Sequence, residues 1–145
     1  SVSPPTRWLI QRDELGDHAR MNGTLLTGAS GREYFYTPYA WATRWHADPA
    51  NYAFGWHDTE SGAWRIAYIG ETANLMSRMA THRQWQAAAK RGCTHVLVNL
   101  NAGGTAARRA EEQDLILKHQ PPLNAQHLKA TKRRPARNGY YPTGW

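Results

Sequence analysis

The sequence predicts an α+β domain in which a small three-stranded antiparallel sheet is flanked by helices. Three observations lead there. Residues 51–57 (NYAFGWH) and 64–69 (WRIAYI) are apolar strand-like runs joined by the polar turn DTESG, the pattern of an antiparallel hairpin. Residues 95–100 (HVLVNL) form a third strand. Residues 105–119 (TAARRAEEQDLILKH) have strong helix propensity and end at QPPLN, because two prolines cannot continue a helix.

The elements follow in order. Residues 7–20 (RWLIQRDELGDHAR) read as a short helix with Trp8, Leu9 and Leu15 as its apolar positions. Gly23 to Gly31 is rich in Gly, Thr and Ser and reads as turn or short strand. Residues 33–45 (EYFYTPYAWATRW) are dense in aromatics; Pro38 argues against one long strand, so a strand and then a short helix before Pro49 are expected. In the hairpin, Tyr52, Phe54 and Trp56 share one face at period two. Gly70 breaks the second strand, Thr72 caps the next helix, and Leu75 and Met79 form its apolar stripe. A second helical piece, 83–90, ends near Gly92, and Asn101 to Gly104 is a loop. On the last helix Ala106, Ala110, Leu115 and Leu117 are the expected buried side. The segment after Asn124 is expected to be poorly ordered without a partner. No internal repeat is present.

A chain of 145 residues suits one domain, and a hydrophobic content of 41% supplies a core of ordinary size. Seven Trp and seven Tyr either fill that core or stack on a partner's rings. The net charge of +7 points to a polyanion or an acidic surface as partner. The excess is concentrated: residues 125–145 contain Lys129, Lys132, Arg133, Arg134 and Arg137 and no acid, interleaved with Tyr140, Tyr141 and Trp145. This reads either as a nucleic-acid arm or as a solvated tail. The single cysteine, Cys93, excludes an intramolecular disulfide and a Cys-rich zinc module. No run is long and apolar enough to span a bilayer, so no membrane partner and a cytoplasmic location are expected.

Phosphate-loop, dinucleotide-binding, zinc-protease and nucleophile-elbow signatures are all absent. What remains is a spaced set. Tyr52 and Tyr68 sit on neighbouring hairpin strands, where side chains can lie side by side. Arg78 and His82, at i and i+4, share a helix face. Glu112 lies mid-helix and Asn124 follows the double proline. Each has an ordinary alternative: half-buried strand tyrosines, a solvated arginine, a histidine against a helix dipole, an exposed glutamate and a turn asparagine.

As a set, these residues resemble the GIY-YIG nuclease family. Tyr68-Ile69-Gly70, Thr72, Asn74, Leu75, Arg78 and His82 are similar to the family's YIGxTxNLxxRxxxH run. Glu112-Gln113-Asp114-Leu115-Ile116 and Pro121-Pro122-Leu123-Asn124 are similar to its ExxLI…PxxN ending. The first motif departs: Pro49-Ala50-Asn51-Tyr52 replaces PG[IV]Y, leaving open a register in which Phe54 takes the tyrosine position. Glu71 stands where lysine or a small polar residue is common.

The resemblance implies a GIY-YIG-like core over 49–125, an aromatic-rich extension packed on it over 1–48 and a basic tail over 126–145. It implies a DNA endonuclease, monomeric or dimeric, using Mg²⁺ or Mn²⁺ at Glu112, with RNA left open as a substrate. Arg78 would brace the phosphate, Tyr52 would take the proton of the attacking water or hold that water, and Tyr68 would orient them. His82 would relay a proton or bind phosphate, and Asn124 would fix the wall of the site. The tail cations Lys129, Lys132, Arg133, Arg134 and Arg137 would bind DNA, with the aromatic 33–45 segment as the stacking surface. The alternative is a nucleic-acid-binding module on the same fold without strong catalysis.

Overall fold

The computed structural model describes residues 9–13, 16–20, 22–100 and 103–124. Seven strands and three helices follow in chain order: β1 (Leu9–Asp13), β2 (Gly16–Arg20), β3 (Thr24–Thr27), β4 (Glu33–Ala40), β5 (Ala50–His57), β6 (Trp64–Thr72), α1 (Leu75–Ala80), α2 (Gln84–Lys90), β7 (His95–Asn99) and α3 (Thr105–His119).

The strands make one antiparallel sheet in the order β1-β2-β4-β7-β5-β6, with β3 also paired to β4. Its five-strand body curls into a half-barrel. The expected three-stranded sheet flanked by helices is therefore wrong: the sheet is larger and the helices are few. The cause lies in the first 48 residues. Residues 9–13 and 16–20, within the run expected as a helix, form β1 and β2, paired antiparallel. Residues 33–40 form one continuous strand through Pro38, and no helix follows before Pro49.

Pro38 is tolerated for a local reason. β2 and β3 run one after the other along the same edge of β4, Arg20 pairing with Tyr39 and Thr24 with Tyr36. The ladder on that edge is interrupted between those pairs, at the residue with no N–H to give. On its other edge β4 pairs with β7.

The expected hairpin and third strand are present as β5, β6 and β7, with β5 in the middle. A bulge at Phe54/Gly55 shifts the hairpin register. Gly55 suits it because an added Cβ would lie 2.4 Å from the Arg65 carbonyl oxygen. Alternation along β5 then divides the core in two. Ala50, Tyr52 and Phe54 face Leu75, Met79 and Ala88 of α1 and α2. Ala53 joins Ile69 and Leu97 against Leu115 and Ile116 of α3.

α1 is capped by Asn74, whose side chain accepts from the Ser77 N–H, rather than by Thr72, the last residue of β6. The buried stripe of α3 also differs from expectation. Leu115 is buried, but Leu117 is 65% exposed, and Ala106 and Ala110 face solvent. The helix turns inward Arg108, Glu111, Glu112, Leu115 and Ile116, a single face at helical spacing in which three of five residues are charged.

Candidate active site

Tyr52 projects from the central strand and pairs across the hairpin with Gly70. An added Cβ at Gly70 would stand 2.5 Å from the Tyr52 hydroxyl oxygen and 2.6 Å from its ring carbon. Tyr52 is buried, so its phenol has little room to retreat. The glycine of the YIG run is what lets this phenol lie over the neighbouring strand.

Two donors converge on the Tyr52 oxygen. Arg78 Nε, from α1, donates at 3.3 Å. His82 Nε2, just beyond α1, lies at 2.7 Å. The tautomer follows from the other ring nitrogen: His82 Nδ1 accepts the Gln84 backbone N–H at 3.1 Å, so the ring proton sits on Nε2 and is donated to Tyr52. The imidazole packs edge-on against Tyr52, Phe54 and Tyr68, with centroids 5.4, 4.7 and 5.1 Å away. Burial, and then the Arg78 charge, push the His82 pKa down to about 3. A neutral imidazole with both nitrogens engaged is a positioning donor.

Tyr52 and Tyr68 lie 6.2 Å apart between ring centroids. Burial raises both phenols above their ordinary pKa, and the Arg78 guanidinium opposes that rise at each. The two residues between which the sequence leaves the register open differ in their contacts. The Phe54 ring is fully buried among Trp41, Trp85 and His82, whereas the Tyr52 oxygen meets Arg78 and His82.

Glu112 comes from the inward face of α3 and is only 9% exposed. Burial, followed by the Glu71 charge, pushes its carboxyl up to about 8, while Arg109 and Arg78 pull it back. Arg78 thus acts on Tyr52, Tyr68 and Glu112 together. Asn124 supports the same strand from its open edge. Its Oδ1 accepts the Ile69 N–H at 2.8 Å and its Nδ2 donates to the Ile69 carbonyl at 3.0 Å. The side chain substitutes for a missing neighbouring strand beside Tyr68 and Gly70.

Around Glu112, Arg108 and Glu111 are neighbours that the sequence does not single out. Glu71 forms an ion pair with Arg108 Nε at 3.0 Å, so the anion that departs from the family pattern is neutralised. Arg108 also donates to Thr105 Oγ1 at 3.1 Å, and its carbonyl accepts from the buried Asn51 side chain at 2.8 Å. Glu111 accepts from Tyr36 Oη at 2.6 Å and from Asn99 Nδ2. The available signal was helical spacing: positions 108, 111 and 112 extend the stripe of Leu115 and Ile116.

Other expected sites are not brought to this place. Of the 33–45 aromatics, Tyr36, Tyr39 and Trp45 are core; Phe35, at 59% exposed, is the large apolar side chain of that segment left open. Lys129, Lys132, Arg133, Arg134 and Arg137 lie outside the described residues. No group of three or more His, Cys, Asp or Glu side chains able to hold a metal occurs among the described residues. A hard divalent cation that keeps most of its water needs fewer protein ligands. Glu112 fits that role chemically, as a buried carboxylate that is costly to ionise without a cation. No helix of the described residues is long and apolar enough to cross a membrane. Comparison of the chain with protein-family models, with curated proteins and with solved structures returns no match.

Proposed function

We propose that this protein is a GIY-YIG-type endonuclease that hydrolyses phosphodiester bonds in DNA with a divalent cation at Glu112. The observation that carries the reading is the meeting of Tyr52, Arg78 and His82 at one oxygen, near a buried carboxylate, from three separate stretches of sequence. Nothing in core packing alone requires a buried phenol to take two N–H donors.

The chemistry follows from the donors. Hydrogen bonds from His82 Nε2–H and Arg78 Nε–H both favour the ionised over the neutral phenol, while burial disfavours it. The resting phenol is therefore protonated, and its ionisation depends on added positive charge. Glu112 would hold Mg²⁺ or Mn²⁺ with water completing the shell, and the cation would supply that charge and polarise the scissile phosphate, the Tyr52 proton passing to solvent as the phenol ionises. The Tyr52 phenolate would then take a proton from the attacking water, whose oxygen bonds to phosphorus as the P–O bond to the leaving oxygen breaks and that oxygen takes a proton from solvent water. Arg78 has further guanidinium donors for the non-bridging phosphate oxygens. His82 holds the phenol in place, and Tyr68 walls the site on the same face.

A second reading, a binding module without catalysis, rests on the altered first motif at Ala50 and Asn51, which no contact among the described residues offsets, and on Glu71. The Glu71–Arg108 ion pair removes much of the latter motive by neutralising the anion. The two readings separate on a labelled duplex with Mn²⁺. The nuclease reading expects cleavage that falls by at least about 100-fold in Tyr52→Phe and in Glu112→Gln, with duplex affinity retained. Binding by the wild type without cleavage under any divalent cation supports the module instead.

A further inference from the structure

The nuclease reading uses one arginine, Arg78, and leaves a second beside the same carboxylate without a role. Arg108 and Arg109 are consecutive on α3, yet they differ in kind. Arg108 is buried, with Nε on Glu71, Nη2 on Thr105 and its carbonyl held by Asn51. Arg109 is 60% exposed and touches Glu71 only through a loose Nε–Oε2 approach of 3.7 Å. Among the described residues it has no hydrogen bond, so its fork of donors is uncommitted.

Its placement is specific. Arg109 precedes Glu112 by three residues, so the two share a face of α3. The Arg109 and Arg78 charges both act on Glu112, one from α3 and one from α1. A carboxylate flanked by guanidiniums from two elements is suited to a chain of anions rather than to a single one. Glu71 keeps its tight pair with Arg108 when Arg109 leaves, so releasing Arg109 strands no charge. A guanidinium in a loose, water-exposed pair exchanges it readily for a phosphate that accepts two parallel N–H bonds.

We propose that Arg109 is a second phosphate-positioning residue, held ready by Glu71 to take a nucleic-acid backbone phosphate adjacent to the one braced by Arg78. This rests on the nuclease reading for its geometry, but its test does not need cleavage.

The test is fluorescence anisotropy of a labelled DNA duplex with the full chain in EDTA, repeated over a series of KCl concentrations. Arg109→Ala should lower the salt slope of log affinity by about one unit and weaken low-salt binding by roughly 10-fold. Arg109→Lys should restore the slope but only part of the affinity, because a point charge replaces a fork. Melting temperature should stay within a few degrees of the wild type, since the side chain is exposed. An Arg109→Ala slope and affinity equal to the wild type overturn the proposal, whether or not the protein cleaves. So does a wild-type chain that binds the duplex without salt dependence. A lowered slope in a protein that cleaves nothing upholds Arg109 as a phosphate contact and overturns the nuclease reading alone.

Discussion

At the scale of single residues, the account depends on what reaches the Tyr52 oxygen. Tyr52→Phe removes the acceptor for Arg78 Nε and His82 Nε2, leaving a buried imidazole N–H without a partner. The expected cost is about 1–3 kcal/mol in stability together with loss of cleavage, checked by denaturant melts and single-turnover rates. Phe54→Tyr in that background should not rescue activity, because residue 54 packs among rings. Glu112 gives a pH prediction with a definite sign. Its carboxyl is raised in the folded state from an ordinary 4.5 to about 8, so the folded protein holds a proton that the unfolded chain has lost between those values. The stability associated with that proton is complete below pH 4.5 and is lost as pH rises through 8. Glu112→Gln should therefore match the wild type near pH 4 and exceed it by a few kcal/mol at pH 9, measured by thermal melts in EDTA. Saturating Mg²⁺ should raise the wild-type melting temperature at pH 8 and leave Glu112→Gln unmoved. Arg78 and His82 were legible as a pair from their four-residue spacing, although α1 ends at Ala80 and His82 reaches Tyr52 from beyond it. The burial of Glu112 was not, because a glutamate beside another glutamate reads as solvated until the partner elements are known.

At the scale of elements, β5, β6, α1 and α3 supply the site. Asn124 completes the open edge of β6 at Ile69 with two hydrogen bonds. Asn124→Ala should cost about 2–4 kcal/mol by leaving a buried N–H and C=O unmatched, and should reduce cleavage through displacement of Tyr68 and Gly70. Gly70→Ala tests the other support. A methyl placed 2.5 Å from the Tyr52 oxygen displaces the phenol, so cleavage should fall at least as far as in Tyr52→Phe. The limits of α3 were readable, since Thr105–His119 matches a run of strong helix formers stopped by prolines. Its orientation was not. The usual search for an apolar stripe selected Ala106, Ala110 and Leu117, whereas the helix buries Arg108, Glu111 and Glu112 because Glu71, Tyr36, Asn99 and the site receive them. The early strands failed for a related reason. Pro38 is excluded from a strand only where the edge that its nitrogen faces needs an N–H, and the broken ladder beside it was not visible in the sequence.

At the scale of the molecule, the expected hairpin and third strand form one end of a larger curled sheet, because β4 adds to β7 and brings β2 and β3 with it. The long-range partner of β7 has no local signature, so the size of the sheet lay beyond a reading of neighbouring residues. The net charge of +7 was legible, and five cations at 129–137 account for most of it. The measurement that tests the central claim most directly is nicking of supercoiled plasmid by the wild type and Glu112→Gln, with Mg²⁺ or Mn²⁺ and with EDTA. The account predicts conversion to open circles that needs the divalent cation and disappears in Glu112→Gln. A folded wild-type protein that binds the plasmid but leaves it supercoiled with both cations, or a Glu112→Gln variant that nicks as well as the wild type, would contradict it.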